Sequence, residues 1–250
     1  MKDYKLYVFD MDGVLFRGEE PIPGGADLIK ELTAEGRLIR YLTNNSTKTR
    51  REYAEKLYGM GYPAEPAQIY TSAAGAAIYL GKTSAYVVGE EGLRQELASM
   101  GCKVVGDEPA AWVVAGACWG LTYAMIDEAQ WRIREGAHFL ATNTDSTYPI
   151  ENGRVKPGAG AVIAAIATAA EQQPEVVIGK PQPTLLRMIW SEAEISPDDT
   201  LLVGDRLDTD IACAENAGCD SALVLTGATS EKHEKSGPKP TYIYGSIADL

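Results

Sequence analysis

The chain has little positive charge and contains no basic run. Its 23 Lys and Arg residues are outnumbered by 35 Asp and Glu residues, which gives a net charge of −12. Because phosphate backbones are bound through clustered Lys and Arg, we expect no nucleic-acid partner. The sequence also lacks an apolar run of the roughly 18 residues that cross a bilayer, and a signal-like segment before its first strand. We therefore expect a cytoplasmic protein without a membrane contact.

Cysteine and histidine are also scarce. The chain has 4 Cys and 2 His, and no two cysteines form a C-x-x-C pair. A Cys/His zinc site therefore has little support, and four free thiols in a reducing compartment are the expected state. The residues are Cys102, Cys118, Cys213, Cys219, His138 and His233.

The stretch LYVFDMDGVL, residues 6–15, combines a buried strand with acidic chemistry. A continuous apolar run of this kind is typical of a strand buried on both faces of a parallel sheet. The run stops at Asp10 and Asp12, and Gly13 then permits a sharp turn. Ligands of open α/β sheets bind beyond the carboxyl ends of the strands, so the two carboxylates are candidate functional groups.

Strand and helix patterns alternate along the 250 residues, which predicts an α/β fold. We expect a Rossmann-like, doubly wound parallel sheet formed by residues 1–80 and 176–250. A self-contained α/β pattern over residues 81–175 predicts an inserted second domain.

Four predicted strands of the first domain end in polar residues that precede a helix or turn. Each strand end has a simpler explanation as a turn or helix cap, but a parallel sheet would bring all four to one edge. The strand ends supply Asp10 and Asp12, Thr43 and Asn44, Lys180, and finally Asp205 and Asp210. Several carboxylates beside one lysine need a hard cation, and oxygen ligands indicate Mg²⁺.

The order of these motifs resembles the haloacid dehalogenase superfamily. DMDGV, a strand ending in Thr43, Lys180 and GDRLDTD resemble its four motifs, and they bracket nearly the whole chain. The NagD-like, nitrophenylphosphatase-like branch is indicated by TNNS at 43–46, ATNTD at 141–145, and PGAG before GKPQP.

The resemblance implies a phosphatase with a role for each core residue. Asp10 would be the nucleophile that forms an aspartyl-phosphate, and Asp12 would be the general acid and base. Mg²⁺ would be held by the carboxylates of Asp10 and Asp205 and by the backbone carbonyl of Asp12. Asp210 would orient a metal-bound water. Thr43, the backbone N–H of Asn44 and Lys180 would bind the phosphoryl oxygens.

The inserted domain would then be a cap that covers the phosphate site and contacts the substrate. Asn143, Thr144 and Asp145 are the candidate contacts, although ordinary turn residues would show the same pattern. Trp119 is interpreted as a core residue, with pocket lining as the alternative. Caps of this branch often dimerise, so the resemblance also implies a homodimer.

We expect hydrolysis of small phosphate esters of the sugar, nucleotide or glycerol type. A phosphotransferase or phosphomutase of the same superfamily is one alternative. A catalytically silent protein that binds phosphorylated metabolites is another.

Overall fold

A computed structural model describes residues 2–149, 155–228 and 237–250 and divides the chain into two compact units. The first unit comprises residues 1–43, 51–70 and 180–250, and the second comprises residues 44–50 and 71–179. His233 lies outside the described residues.

Helices and strands alternate over most of the described chain. The helices are α1 (Gly25–Ala34), α2 (Arg50–Gly59), α3 (Ser72–Leu80), α4 (Glu91–Ser99), α5 (Tyr123–Arg134), α6 (Ala159–Ala170), α7 (Thr184–Ala193) and α8 (Ala212–Ala217). The strands are β1 (Leu6–Asp10), β2 (Phe16–Arg17), β3 (Glu20–Pro21), β4 (Leu38–Thr43), β5 (Ile69–Thr71), β6 (Ser84–Val88), β7 (Lys103–Val104), β8 (Trp112–Ala115), β9 (His138–Ala141), β10 (Thr147–Pro149), β11 (Val155–Pro157), β12 (Val176–Val177), β13 (Thr200–Gly204), β14 (Asp220–Val224) and β15 (Tyr242–Tyr244).

The larger sheet has six strands in the order β15-β14-β13-β1-β4-β5. β1 pairs in parallel with both β13 and β4, and all of its residues are buried, as its unbroken apolar run predicts. The strand order reverses at β1, and such a switch point is where doubly wound sheets leave a crevice. The predicted α/β class with parallel sheets is confirmed.

The second unit contains a five-stranded sheet in the order β12-β9-β8-β6-β7. Its described pairings are all parallel. α5 and α6 pack their apolar faces on this sheet, with Ile133, Phe139 and Ile166 among the buried side chains. This unit therefore has a hydrophobic core of its own.

β12 belongs to this second sheet, and its predicted place in the larger sheet is wrong. Val176 and Val177 pair with Leu140 and Ala141 of β9. A pair of valines carries no information about which sheet it joins, because strand pairing is decided by residues distant in sequence. Lys180 therefore follows a strand of the smaller sheet.

The two units also divide the chain at positions other than the predicted domain bounds. Residues 44–50, 71–80 and 176–179 cluster with the second unit. α3 packs against α4, and its first six residues are buried. The Ala-rich sequence of α3 favours a helix but does not show against which unit the helix packs.

Two short hairpins were not predicted from the sequence. β2 pairs with β3, and β10 pairs with β11, both antiparallel. Strands of two or three residues are too short to show a period of their own. β11 occupies Val155–Pro157, directly before α6.

A buried tyrosine ties the first hairpin to the core of the first unit. Tyr62 is 1% exposed, and its hydroxyl donates a 2.6 Å hydrogen bond to the backbone carbonyl of Leu15. Gly25 lies so close that a Cβ there would be 2.6 Å from the Tyr62 hydroxyl oxygen. The hydroxyl is thus enclosed, and the carbonyl that it satisfies is removed from water.

We predict that Tyr62→Phe lowers the free energy of unfolding by about 0.5–1.5 kcal/mol. It removes one of the two hydrogen bonds that the buried Leu15 carbonyl accepts, the other coming from the Ile22 N–H at 2.8 Å. Tyr58→Phe is the matched control, since Tyr58 is 76% exposed, and it should change stability by less than about 0.5 kcal/mol. Urea denaturation followed by circular dichroism measures both. Equal stability of the two variants would contradict the prediction.

Candidate active site

The site lies at the carboxyl ends of the three central strands of the larger sheet. Asp10 is the last residue of β1 and pairs with Leu42 of β4, one residue before Thr43. On the other side Phe9 pairs with Val203 of β13, which ends at Gly204, and Asp205 follows. Parallel pairing in this register therefore brings Asp10, Thr43 and Asp205 to one edge.

Lys180 joins two of the acidic residues. Its side chain is 3% exposed, and Nζ lies 2.5 Å from Asp10 Oδ1 and 2.6 Å from Asp210 Oδ1. Both carboxylates are buried as well. Charge-assisted hydrogen bonds of this length fix the positions of both acids.

Asp205 is held by the loop that follows β14. Its Oδ2 accepts a 2.6 Å hydrogen bond from the backbone N–H of Ala228. In the same loop the Thr226 hydroxyl donates a 2.6 Å hydrogen bond to the Gly13 carbonyl. These contacts were missed from the sequence. The available signal was the polar end of a further strand at Thr226 and Gly227.

A π-helical turn, Leu207–Ile211, places Asp210 in the site and Asp208 outside it. Asp210 is fully buried, and its Oδ2 accepts a 3.1 Å hydrogen bond from the backbone N–H of Arg206. Asp208 is exposed and forms an ion pair of 2.9 Å with the Arg206 side chain. The spacing of the acids in GDRLDTD thus separates an inward carboxylate from an outward one.

Burial dominates the electrostatics of the site. It raises the pKa of Asp10 well above its usual range, although the Lys180 ammonium opposes the shift. Burial and the Asp210 charge raise the pKa of Asp205 to about 7. Burial alone would lower the pKa of Lys180, but the charges of Asp10 and Asp210 raise it above its usual value. The site thus buries three carboxylates and one ammonium, and the ammonium contacts two of the three.

These carboxylates fit a hard divalent cation. Asp10, Asp205 and Asp210 offer ligand oxygens that all lie within 4.8 Å of one another. An all-oxygen ligand set suits Mg²⁺ or Ca²⁺ better than zinc or copper. A cation there would offset the negative charge that Lys180 alone leaves unbalanced.

Asp12 has a different environment from Asp10, two residues earlier. Asp12 is exposed, whereas Asp10 is 7% exposed. The buried carboxylate of Asp10 is held in place, whereas the exposed carboxylate of Asp12 can exchange protons with solvent. Different environments allow two carboxylates to take different chemical roles.

Close approach of backbone to carboxylate requires glycine at the site. Gly13 has a φ of +82°, and a Cβ there would lie 2.6 Å from Asp205 Oδ2. A Cβ on Gly227 would lie 1.9 Å from the same oxygen. No larger residue fits at either position without moving the carboxylate.

Thr43 and Asn44, consecutive in the chain, fall in different units. Thr43 is buried at the end of β4 in the first unit. Asn44 begins the segment that clusters with the second unit, and its side-chain amide lies 3.1 Å from both carboxylate oxygens of Asp145.

Asn143, Thr144 and Asp145 follow β9 in the second unit. Asn143 is 5% exposed, and its amide donates a 3.0 Å hydrogen bond to Asp145 Oδ2. Asp145 is half-buried, and Thr144 is exposed. All three residues lie in the second unit. Their contact with a substrate stays a prediction.

The interpretation of Trp119 as a core residue is wrong. Trp119 is 51% exposed, and its ring lies 5.0 Å from that of Tyr148. It follows β8 in a loop, beyond the part of the strand that the sheet covers. The apolar run before Trp119 favours burial within a strand, but the strand ends at Ala115, before Trp119.

Family models match both ends of the chain. A haloacid dehalogenase-like hydrolase model matches residues 7–103, and a HAD-hydrolase-like model matches residues 177–250. The chain belongs to the haloacid dehalogenase-like hydrolases. No helix among the described residues is long and apolar enough to cross a bilayer.

Curated relatives match over almost their full length. An acid sugar phosphatase of Staphylococcus saprophyticus is 35% identical, with 100% of this chain and 98% of the relative covered. A 5′-nucleotidase of Bacillus subtilis is 34% identical, with 100% of this chain and 98% of the relative covered. A glycerol-3-phosphate phosphatase of Gallus gallus is 36% identical over 97% and 89%.

Solved structures agree with these relatives. A p-nitrophenyl phosphatase from Archaeoglobus fulgidus has a TM-score of 0.94 and 31% identity, covering 99% of this chain and 98% of that one. A chain assigned as a NagD protein has a TM-score of 0.91 and 27% identity, covering 100% and 98%. The predicted NagD-like branch is thus confirmed, and the chain is an enzyme of the haloacid dehalogenase phosphatase type.

We predict that Mg²⁺ stabilises the wild-type enzyme against heat and that Asp205→Asn removes most of this effect. A ligand at a hundred times its Kd stabilises a protein by about 2.7 kcal/mol, and the variant lacks one of the charges that would bind it. In chelator the variant should melt above wild type, because a buried charge is gone. Thermal unfolding with Mg²⁺ and with chelator measures both effects. Asp208→Asn is the control, and a full Mg²⁺ effect in Asp205→Asn would refute the assignment.

We predict that Gly13→Ala also loses the Mg²⁺-dependent rise in melting temperature, because its Cβ would displace the Asp205 carboxylate. Gly18→Ala is the matched control. Gly18 has a φ of +59°, but a Cβ there would meet no atom within 4 Å. Both variants should lose about 1–2 kcal/mol from backbone strain, whereas the metal effect should separate them. The same Mg²⁺ effect in both would show that the close approach at Gly13 is unimportant.

Proposed function

We propose that this enzyme is a Mg²⁺-dependent phosphatase of small phosphorylated metabolites, acting through an aspartyl-phosphate on Asp10. The observation that carries the proposal is the buried group of Asp10, Asp205 and Asp210 with Lys180, at the edge of a doubly wound sheet.

The metal would be held by the carboxylates of Asp10 and Asp205 and by the backbone carbonyl of Asp12, with Asp210 orienting a bound water. When bound, Mg²⁺ supplies positive charge that lowers the repulsion between the carboxylate nucleophile and an anionic phosphate. The short contacts of Lys180 hold Asp10 and Asp210 at fixed positions before any substrate arrives.

Asp10 is suited to nucleophilic attack because it is fixed and stripped of water. A carboxylate oxygen of Asp10 forms a bond to phosphorus while the bond from phosphorus to the ester oxygen breaks. A water molecule then attacks phosphorus, releases inorganic phosphate and regenerates the Asp10 carboxylate.

Asp12 would move the protons of both steps. It protonates the leaving ester oxygen in the first step and accepts a proton from the attacking water in the second. Its exposure supports this role, because an acid that alternates between two states must exchange protons with its surroundings.

The phosphoryl oxygens would be bound by the Thr43 hydroxyl, the backbone N–H of Asn44 and the Lys180 ammonium. Thr43 ends the strand that neighbours β1, so its hydroxyl is near the Asp10 end of the sheet by register. One ammonium and neutral donors favour a phosphate over a neutral ligand.

The substrate class rests on the relatives. Their names indicate sugar phosphates, nucleotides and glycerol 3-phosphate, and we propose the same range of small esters for this enzyme. We further propose that the second unit acts as the cap, with Thr144 as a candidate substrate contact. A cytoplasmic location, a homodimer, and the absence of a nucleic-acid or membrane partner remain predictions.

We predict that Asp10→Asn lowers phosphate release by at least about 10⁴-fold, as loss of a nucleophile does in other enzymes, while the fold is retained. The measurement is phosphate release from sugar, nucleotide, glycerol and p-nitrophenyl phosphates, with Mg²⁺ and with chelator. Asp208→Asn, the exposed acid nearby, is the control and should match wild type.

Residual activity of Asp10→Asn near the wild-type rate would exclude Asp10 as the nucleophile. A phosphorylated product in place of inorganic phosphate, when an acceptor alcohol is added, would instead identify a phosphotransferase.

A further inference from the structure

A polar cluster in the second unit consists of the side chains of Asn44, Asn143 and Asp145. The Asn44 amide nitrogen lies 3.1 Å from each carboxylate oxygen of Asp145, and the Asn143 amide nitrogen lies 3.0 Å from Oδ2. Asn44 and Asn143 are 8% and 5% exposed. We name this group the amide–carboxylate cluster.

The cluster is braced by buried neighbours. Thr142 is fully buried, and its hydroxyl donates a 3.0 Å hydrogen bond to the side-chain oxygen of Asn143. The Ser72 hydroxyl donates a 2.6 Å hydrogen bond to the backbone carbonyl of Asn44. Asn44 is therefore held through its main chain and its side chain.

Gly179 closes the cluster from the other side. Its backbone N–H donates a 2.8 Å hydrogen bond to the Thr142 carbonyl. A Cβ on Gly179 would lie 2.5 Å from the side-chain oxygen of Asn44 and 2.9 Å from Cβ of Asn143. Packing this tight leaves Asn44 little freedom of movement.

The chain positions give the cluster its functional meaning. Asn44 follows Thr43 directly, and Gly179 immediately precedes Lys180. The cluster thus contains one proposed phosphate-binding residue, Asn44, and is bonded to a second, Thr43, while Gly179, which packs on it, is bonded to the third. The peptide bonds that join residues 43 and 44 and residues 179 and 180 are planar, so holding Asn44 and Gly179 limits the orientations open to Thr43 and Lys180.

The chemistry of Asp145 argues against direct contact with the phosphoryl group of a substrate. An ionised carboxylate only accepts hydrogen bonds, and it repels a phosphate ester. Here its oxygens accept hydrogen bonds from the side-chain amides of Asn44 and Asn143. A carboxylate is suited to this role because it offers only acceptors.

We infer that Asp145 is a positioning residue: it fixes Asn44 through the paired amide contacts and thereby orients the phosphate-binding backbone at Thr43–Asn44. The inference rests on the proposed phosphatase function. In this role Asp145 does not distinguish one substrate from another. It acts on the binding of the phosphoryl group, which all substrates share. Loss of Asp145 should therefore affect every substrate alike, whereas loss of a contact to the leaving group would not.

The test compares Asp145→Ala, Asp145→Asn, Asn44→Ala and the double variant Asn44→Ala/Asp145→Ala. Asn44→Ala keeps the backbone N–H and removes only the side chain that Asp145 holds. We expect Asp145→Ala to lower kcat/KM by about 10- to 100-fold, by the same factor for sugar, glycerol and nucleotide phosphates. Inhibition by inorganic phosphate should weaken in parallel.

Coupling to Asn44 is the decisive readout. If Asp145 acts through Asn44, the double variant should be no worse than the worse single variant. Asp145→Asn, which retains one acceptor oxygen, should recover part of the activity. Asp127→Ala is the matched control, because Asp127 is an exposed aspartate of α5 in the same unit.

A changed ratio of activities among substrates would overturn the inference in favour of a specificity contact. Fully additive losses, or no loss, would overturn it too. Thermal shift by inorganic phosphate with Mg²⁺ supplies a readout without turnover. An inactive wild type would refute the phosphatase proposal, while phosphate binding weakened in Asp145→Ala would still support the positioning role. If Asp145→Ala does not fold, Asp145→Asn and Asn44→Ala test the same coupling.

Discussion

The buried ammonium of Lys180 is the interaction on which the rest of the site depends. A charge with 3% exposure persists only if it is paired, and Lys180 is paired twice, with Asp10 and Asp210. Each carboxylate in turn would be too costly to bury without that ammonium. The lysine therefore sets the positions of the nucleophile candidate at the end of β1 and of the acid on the π-helical turn.

The pairing is incomplete, and this leaves the site able to bind a cation and an anion together. Asp205 depends on the Ala228 N–H, and burial raises its pKa to about 7. Excess negative charge favours a divalent cation, which in turn allows an anionic phosphate to approach a carboxylate. Gly13 and Gly227 keep the space around Asp205 clear of side chains. The unbalanced carboxylates thus destabilise the site locally, and a bound ligand would offset this cost.

The strand ends illustrate how far local patterns reach. The apolar run before Asp10 and the run before Asp205 each predicted a buried strand, and the sheet places the two side by side. The run before Lys180 predicted a strand equally well, yet Val176 and Val177 pair with β9 in the other sheet. Trp119 shows the same limit, since its neighbours in sequence are apolar and its neighbours in space leave it half-exposed. The hydrophobic pattern of a segment indicates whether a strand is buried. The strands with which it pairs lie far away in the sequence, so the pattern does not indicate them.

The sequence by itself determined the α/β class, the alternation of elements and the acidic residues at strand ends, because period and turn chemistry are local properties of the chain. Only the tertiary structure decided which carboxylates share Lys180, which sheet β12 joins, and that Asn44 is held by Asp145, 101 positions later. These contacts join residues far apart in sequence. They depend on packing and on hydrogen-bond distances, which no local pattern of residue types encodes.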